Sequence, residues 1–596
     1  MKKTFRFLSM AALALMGAVM TGCSSEDDSI IDNPQQPANT SNVVTLTTTI
    51  GFDANTSTRA LASGGVKTFA EGDQIAVIYK NASDETIKTV STISSGAGTK
   101  TATFTVALTN PDNTKAIRYI YPAAMAKATI ATNATIDDDG TVDFTKLNSQ
   151  TGSLTTLGNN LDLCTLDAAN WTSGTLPTGT LENKLAILAI TVKNSGGTDK
   201  TSTITSLSVG DGSNVYSVTR DAIAGPIYVA IKPTSSATIG VNASDGTTRY
   251  YKELTTAKTY DANNGYSVSW KMNEGGAHLS ALTGNFTANN GDVLKGTLSG
   301  NYQISIADGA TVTLDGVTIN GTSNSAYQWA GITCQGDATI ILKDGTTNTV
   351  KGFFGVYPGI FVPGDDTDPS NNKTLTIQGT GSLNASSNGR GAGIGGVYNG
   401  ASCGNIVIAN GNITAVGGAD AAGIGGAQYG TCGYITISGG TVNATGGGYA
   451  AGIGCPDDCS CGTITISGGT VIAQGGNDAA GIGSGFSDYS NCEGIIISDG
   501  TVTATGGEYG AGIGSGSGGV CGNITINGGT VEATGGEDGA GIGSGQFGTC
   551  GDIEITADVT SVTATKGSSW AQSIGAGFNG SCSAVNIAGG ANVTQN

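Results

Sequence analysis

Histidine and basic side chains are the scarcest chemistry in this chain. One histidine, His278, serves 596 residues, and 27 Lys+Arg face 46 Asp+Glu. The shortage is uneven: residues 277–596 hold 6 Lys/Arg and 22 Asp/Glu, a net −16, against −3 for residues 1–276. A surface so poor in cations cannot neutralise phosphates, which excludes nucleic acid as a partner and disfavours heparin-like polyanions. The same poverty leaves little to act as a base or to steady a developing anion, so an enzyme is not expected. Aromatics make up only 6% and charged residues 12%, which suits an extracellular β protein. The apolar run Phe7–Met20 is too short to cross a bilayer as a stable anchor.

Glycine, by contrast, is abundant at 96 residues, and in the C-terminal third it is periodic. Cysteine recurs at 403, 432, 461, 492, 521, 550 and 582, and an Ala-Gly-Ile-Gly-like core recurs in phase at Ile394, Ile424, Ile453, Ile482, Ile513, Ile542 and Ile574. A repeat of about 29 residues signals a stacked architecture. Leucine-rich repeats lack their leucine scaffold here, and helical repeats are excluded because each helical Gly costs about 1 kcal/mol. Each copy offers three short alternating runs, Ile-x-Ile, Thr-Val-x-Ala and Ala-Gly-Ile-Gly, separated by Gly pairs and polar loops. Three strands and three corners make one rung of a parallel β-helix, with Ile, Val and Ala inward and equivalent residues about 4.8 Å apart along the axis.

Taken in order, the chain begins with an export signal at 1–22: Lys2, Lys3 and Arg6, then the apolar run. Met20-Thr21-Gly22-Cys23 resembles the lipobox of bacterial lipoproteins, which implies a lipidated Cys23 and an outer-membrane anchor. Ser25-Glu26-Asp27-Asp28 looks like the acidic signal that sends such lipoproteins to the cell surface in certain Gram-negative anaerobes. Residues 23–42 read as a disordered tether. Strand patterns follow at Val43–Ile50, Phe69–Tyr79, Ile117–Tyr121, Leu185–Val192, Ile227–Ile231 and Tyr266–Met272. Through Phe69–Tyr79, Ile117–Pro122, Glu182–Ile190 and Tyr266–Trp270, residues 43–272 resemble the fimbrillin family of pilus subunits. That resemblance implies two β-sandwich modules dividing near 165–180. It also implies a protease cut between Arg59 and Ala60, and donor-strand addition between pilus subunits. Residues 273–300 read as a linker, containing His278, and a cap over the solenoid's first edge; 301–596 read as the β-helix. The fold class expected is therefore all-β, a two-module fimbrillin-like sandwich followed by a parallel β-helix.

Several side-chain constellations stand out. Four residues before each repeated Ile lie Arg390, Asp420, Tyr449, Asp478, Tyr509, Asp538 and Trp570. In a stack this becomes a stripe of alternating carboxylate and aromatic. Aromatics offer stacking surfaces to sugar rings and carboxylates accept hydroxyl hydrogen bonds, so the stripe is a candidate polysaccharide-binding row. Alternation also keeps like charges from stacking directly, which requires no ligand. A second set, Tyr398, Tyr429, Tyr489, Phe547 and Phe578, would line an adjacent face. The loop with Asp365, Asp366 and Asp368 has the oxygen-rich composition of a Ca²⁺ site and equally that of a hydrated loop; no other cofactor is expected. The cysteine column reads as a buried ladder of reduced thiols, whereas Cys455, Cys459 and Cys461 invite a local disulfide more than zinc, having no histidine nearby.

The favoured reading is a surface lipoprotein adhesin or accessory or tip pilin whose β-helix binds polysaccharide; the second half resembles polysaccharide-binding β-helix domains of anaerobic bacteria. Two alternatives stand beside it: a stiff spacer or protein-binding pilus component, and a β-helix polysaccharide lyase or hydrolase.

Overall fold

The computed structural model describes residues 42–52, 67–235, 238–256, 258–365 and 367–596. Cys23, Arg59, Ala60 and Asp366 lie outside the described residues, as do the export signal and nearly all of the tether. The described chain is almost entirely β, in two sandwich-like modules followed by a solenoid. No described helix is long and apolar enough to cross a membrane.

In the first module, alternation along Val43–Phe52 sends Ile50 and Phe52 into a core with Phe69, Tyr79, Phe104, Tyr119 and Tyr121. This strand pairs antiparallel with Thr101–Thr109 over nine residues. At its end Ile50–Phe52 run parallel to Gly179–Leu181, which closes a seven-stranded barrel. The division expected near 165–180 therefore falls inside this barrel, whose last strands are Cys164–Ala168 and Gly179–Asn183. The chain passes into the second module just before Ala186–Lys193, a strand so apolar that six of its eight residues are buried. That module is a three-stranded and a five-stranded sheet enclosing Leu188, Ile190, Val209, Val229 and Val241.

The solenoid begins earlier than the repeat does. Gly276–His278 pair parallel with Val293–Lys295, and Phe286–Ala288 with Ile304–Ile306, so the stretch expected as linker and cap is already in the ladder. Rung formation needs backbone hydrogen bonds and inward apolar residues, not the later consensus; Ala277, Leu279, Ala288 and Leu294 supply these. From there the rungs run in strict register. Ile435 pairs with Ile464, Val442 with Val471 and Ile453 with Ile482, all parallel and all buried. The seven Ile-Gly strands and four earlier ones, from Phe286–Ala288 to Ile360–Phe361, form an eleven-stranded sheet along one side of the rod.

The column cysteines also stack rung on rung, from Cys403 over Cys432 through Cys461, Cys492, Cys521 and Cys550 to Cys582. All eleven described cysteines are free thiols, including Cys455, Cys459 and Cys461, where a local disulfide was expected. Each of those three is buried in the solenoid core and acts as a small apolar filler. Burial pushes the Cys334 thiol up to about 12, far from the reactive range.

Candidate functional face

Register decides whether the carboxylate–aromatic row exists. The seven Ile-Gly strands pair consecutively, from Ile394 over Ile424 to Ile542 over Ile574. Four residues upstream the backbone keeps the same phase: Asp478 N–H donates to Gly448 O (3.2 Å), Tyr509 N–H to Asn477 O (3.0 Å) and Asp538 N–H to Glu508 O (3.1 Å). Asp420, Tyr449, Asp478, Tyr509, Asp538 and Trp570 therefore follow one another along a single line on the rod. At its start Arg390 Nε reaches Asp420 Oδ2 at 3.1 Å. Tyr449 and Trp570 are exposed and the others half-buried. Burial raises the Asp478 carboxyl above its usual range, and the neighbouring Glu508 raises the Tyr509 phenol.

The second aromatic set does not form a separate face. Four and five residues after each repeated Ile the chain turns a corner, and the fifth residue has a left-handed backbone in every rung: Asn399, Tyr429, Asp458, Ser487, Gly518, Phe547 and Asn579. The corner is tied to the row. Carbonyls of Tyr449, Asp478, Tyr509 and Asp538 accept N–H groups from the next rung's corner residues, Phe486 (3.3 Å), Ser517 (2.8 Å), Gln546 (2.9 Å) and Phe578 (2.8 Å). Ring contacts cross the same seam, Tyr449 to Phe486 at 5.8 Å and Trp570 to Phe578 at 6.2 Å. Along the corner, Tyr398 meets Tyr429 at 6.2 Å and Phe547 meets Phe578 at 6.1 Å. Row and corner are one surface.

Among the described residues the exposed aromatics are Tyr429, Tyr434, Tyr449, Phe486, Tyr489, Phe547 and Trp570, and all but Tyr434 lie on this face. The second aromatic set lies three to five residues before a column cysteine, and by that count Phe486 falls out of line. The rung of Ile482 carries two extra residues before Cys492, which shifts that count; counting forward from the isoleucine places Phe486 in line.

The acidic loop has a local explanation. Asp365 Oδ1 accepts from Thr367 N (2.8 Å), Thr367 Oγ1 (2.6 Å) and Asp368 N (3.1 Å), and Oδ2 from Asn371 Nδ2 (3.1 Å). Asp368 Oδ1 accepts from Ser370 N and Oγ. These bonds hold Asp365 well below the usual carboxylate range, the Thr367 hydroxyl contributing most. Among the described residues no three acidic, histidine or cysteine side chains converge as a metal site.

A family model described as beta helix repeat matches residues 406–428, 435–455, 464–486, 495–517 and 524–546. No curated protein matches the sequence. Among solved structures, a candidate cell adhesion protein of Bacteroides ovatus ATCC 8483 is 11% identical (TM-score 0.25), covering 40% of this chain and 96% of that chain. One from Bacteroides uniformis ATCC 8492 is 15% identical (TM-score 0.22), covering 40% and 98%. A fimbrial assembly protein of Parabacteroides distasonis ATCC 8503 is 11% identical (TM-score 0.23), covering 38% and 91%.

Proposed function

We propose that this chain is a cell-surface adhesin whose solenoid binds polysaccharide along the face formed by the Asp420–Trp570 row and the corner aromatics. The observation that carries the reading is the concentration of exposed aromatic rings, in register, on one side of a rod. Contiguous exposed apolar surface marks an interaction site, and row aromatics recurring at every second rung match a ligand that itself repeats. Asp420, Asp478 and Asp538 add acceptors for sugar hydroxyls between the rings. The lipobox-like Met20–Cys23 and the acidic stretch behind it support display at the outer surface.

Binding is favoured over cleavage by what surrounds the carboxylates. Asp420 is paired with Arg390, and Asp538 Oδ2 accepts from Gln546 Nε2 at 2.7 Å. The row thus repeats without a unique centre, whereas glycoside cleavage needs one opposed pair of carboxyl groups with divided roles.

Replacing Tyr449, Tyr509 and Trp570 together by alanine tests the reading in the full chain. Stacked rings contribute about 1 kcal/mol each beyond the area they bury, so affinity for a bound polysaccharide falls at least about 100-fold. Retained affinity in the triple variant, measured by titration calorimetry, would remove the row from the binding site.

A further inference from the structure

Two tyrosines, Tyr429 on the corner column and Tyr489 two residues beyond the corner at Ser487, stand out against the geometry around them. Tyr429 sits in the left-handed region at φ 63°, in a column that elsewhere carries Asn, Asp, Ser or Gly at all but one rung. That conformation disfavours a bulky side chain, and 54% of Tyr429 is nevertheless left exposed. Tyr489 lies in the rung lengthened by two residues and is 76% exposed. The corner of Asp458 lies between them: Tyr429 N–H donates to Asp458 O at 3.2 Å, and Ser487 Oγ to Asp458 Oδ1 at 3.2 Å. The result is a cleft of ≈ 410 Å³ lined by Tyr429, Asp458 and Tyr489 with Ser402, Thr431 and Ser460. Tyr429 meets Tyr398 at 6.2 Å yet keeps more than half of its surface in solvent, and Tyr489 keeps about three quarters, so both rings are available to something that enters the cleft.

We infer that this cleft is a saccharide subsite that takes one uncharged hexopyranose unit between Tyr429 and Tyr489, with Asp458 and the hydroxyls of Thr431 and Ser460 meeting its hydroxyl groups. The inference rests on the polysaccharide reading above and locates its main grip. The flanking corners are two rungs apart, about 9.6 Å along the axis, which leaves room for a sugar ring needing about 8 Å to make van der Waals contact of about 4 Å on either side. Charge sets the selectivity. No Lys or Arg occurs from 391 to 565, while Asp420, Asp457, Asp458, Asp478 and Asp488 fall within that stretch. Asp458 is the one charged residue lining the cleft and the nearest cation on this face, Arg390, is paired with Asp420, so a uronate or sulfated unit would meet like charge there.

The test uses the full chain, titrated with soluble neutral glucan, mannan and galactan and with polygalacturonate as the anionic comparator. The wild type binds at least one neutral polymer and binds polygalacturonate more weakly than that polymer. Tyr489→Ala and Asp458→Asn each weaken the neutral interaction, Tyr489→Ala by roughly ten-fold, with the melting temperature unchanged. Tyr429→Asn, which installs the residue found at 399 and 579 in the same column, weakens binding with a melting temperature equal to or above wild type. If the cleft variants bind like wild type while the Tyr449, Tyr509 and Trp570 triple variant does not, the cleft is wrong and the row stands. Binding of no neutral polymer overturns both readings. Polygalacturonate bound as tightly as the neutral polymer overturns the charge selectivity, and a lowered melting temperature in Tyr429→Asn overturns the strain argument.

Discussion

The glycine that follows each repeated isoleucine sets how closely rungs approach. Gly395, Gly425, Gly454, Gly483, Gly514, Gly543 and Gly575 all have φ between 129° and 140°, a region closed to residues with a Cβ. At Gly483 a Cβ would also overlap the carbonyl oxygen of Gly514 on the next rung. Gly483→Ala should therefore cost about 3 kcal/mol, combining backbone strain with a clash that rigid neighbours cannot relieve. Denaturant unfolding of the variant should show a lower midpoint, and an unchanged midpoint would mean the rungs can shift apart. This column was legible in the sequence as Ala-Gly-Ile-Gly, because the need for glycine is local and repeats. The left-handed corner was not legible. Its occupants, Asn399, Tyr429, Asp458, Ser487, Gly518, Phe547 and Asn579, share a conformation but not one residue type; five are small or polar residues common in any loop, and Tyr429 and Phe547 break even that pattern.

Between elements, the decisive structure is the seam joining the second module to the first rung. His278, read from sequence as a linker residue, is buried there with Ser280 Oγ 2.9 Å from its Nδ1. Its backbone N–H donates to Asn242 Oδ1 (2.7 Å) and its carbonyl accepts from Asn242 Nδ2 (2.9 Å). A Cβ at Gly240 would overlap the imidazole, so that glycine admits the ring. Glu253 lies 3.5 Å from His278 Nε2 and 3.2 Å from Lys295 Nζ, and Lys295 continues to Asp315 at 3.3 Å. None of this was readable from sequence, since a lone histidine beside Gly-Gly-Ala gives no sign of what will cover it.

Burial holds the His278 imidazole below its ordinary value of 6.5; Lys295 adds to that lowering and Glu253 opposes it. When pH falls through that value, the unfolded chain takes up a proton that the folded seam resists. Stability contributed by the seam is therefore present above about pH 6.5 and declines below it. The melting temperature of the wild type should drop further between about pH 7.5 and about pH 5.5 than that of His278→Gln. Equal drops in the two proteins would show that the seam is not the group being titrated.

At the scale of the whole molecule, the seam makes the second module part of the solenoid's foundation. A parallel stack has two open ends, and an uncovered end exposes both apolar side chains and unpaired backbone groups. Here Leu279, Ser280 and Ala281 are buried, and Ser208 Oγ donates to Ala281 O at 2.6 Å across the boundary. Arg249 Nη1 reaches Asp292 at 3.0 Å and stacks over Phe286 at 4.7 Å. The repeat suggests cutting the chain where the glycine-rich text begins, but the contacts run back across that point into the second module, whose core in turn takes in Ile78, Met125, Leu147 and Leu157 from the chain before it. Residues 277–596 alone would lose strand residue Gly276, the partners Asn242, Arg249 and Glu253, and the cover over Leu279 and Leu282. That fragment should self-associate through its bared first edge and bind a hydrophobic dye, whereas residues 42–596 should remain monomeric. Light scattering after size-exclusion chromatography separates the two outcomes. A monomeric, dye-silent 277–596 fragment would mean the first rung closes its own end, and that the second module is joined to the rod without protecting it.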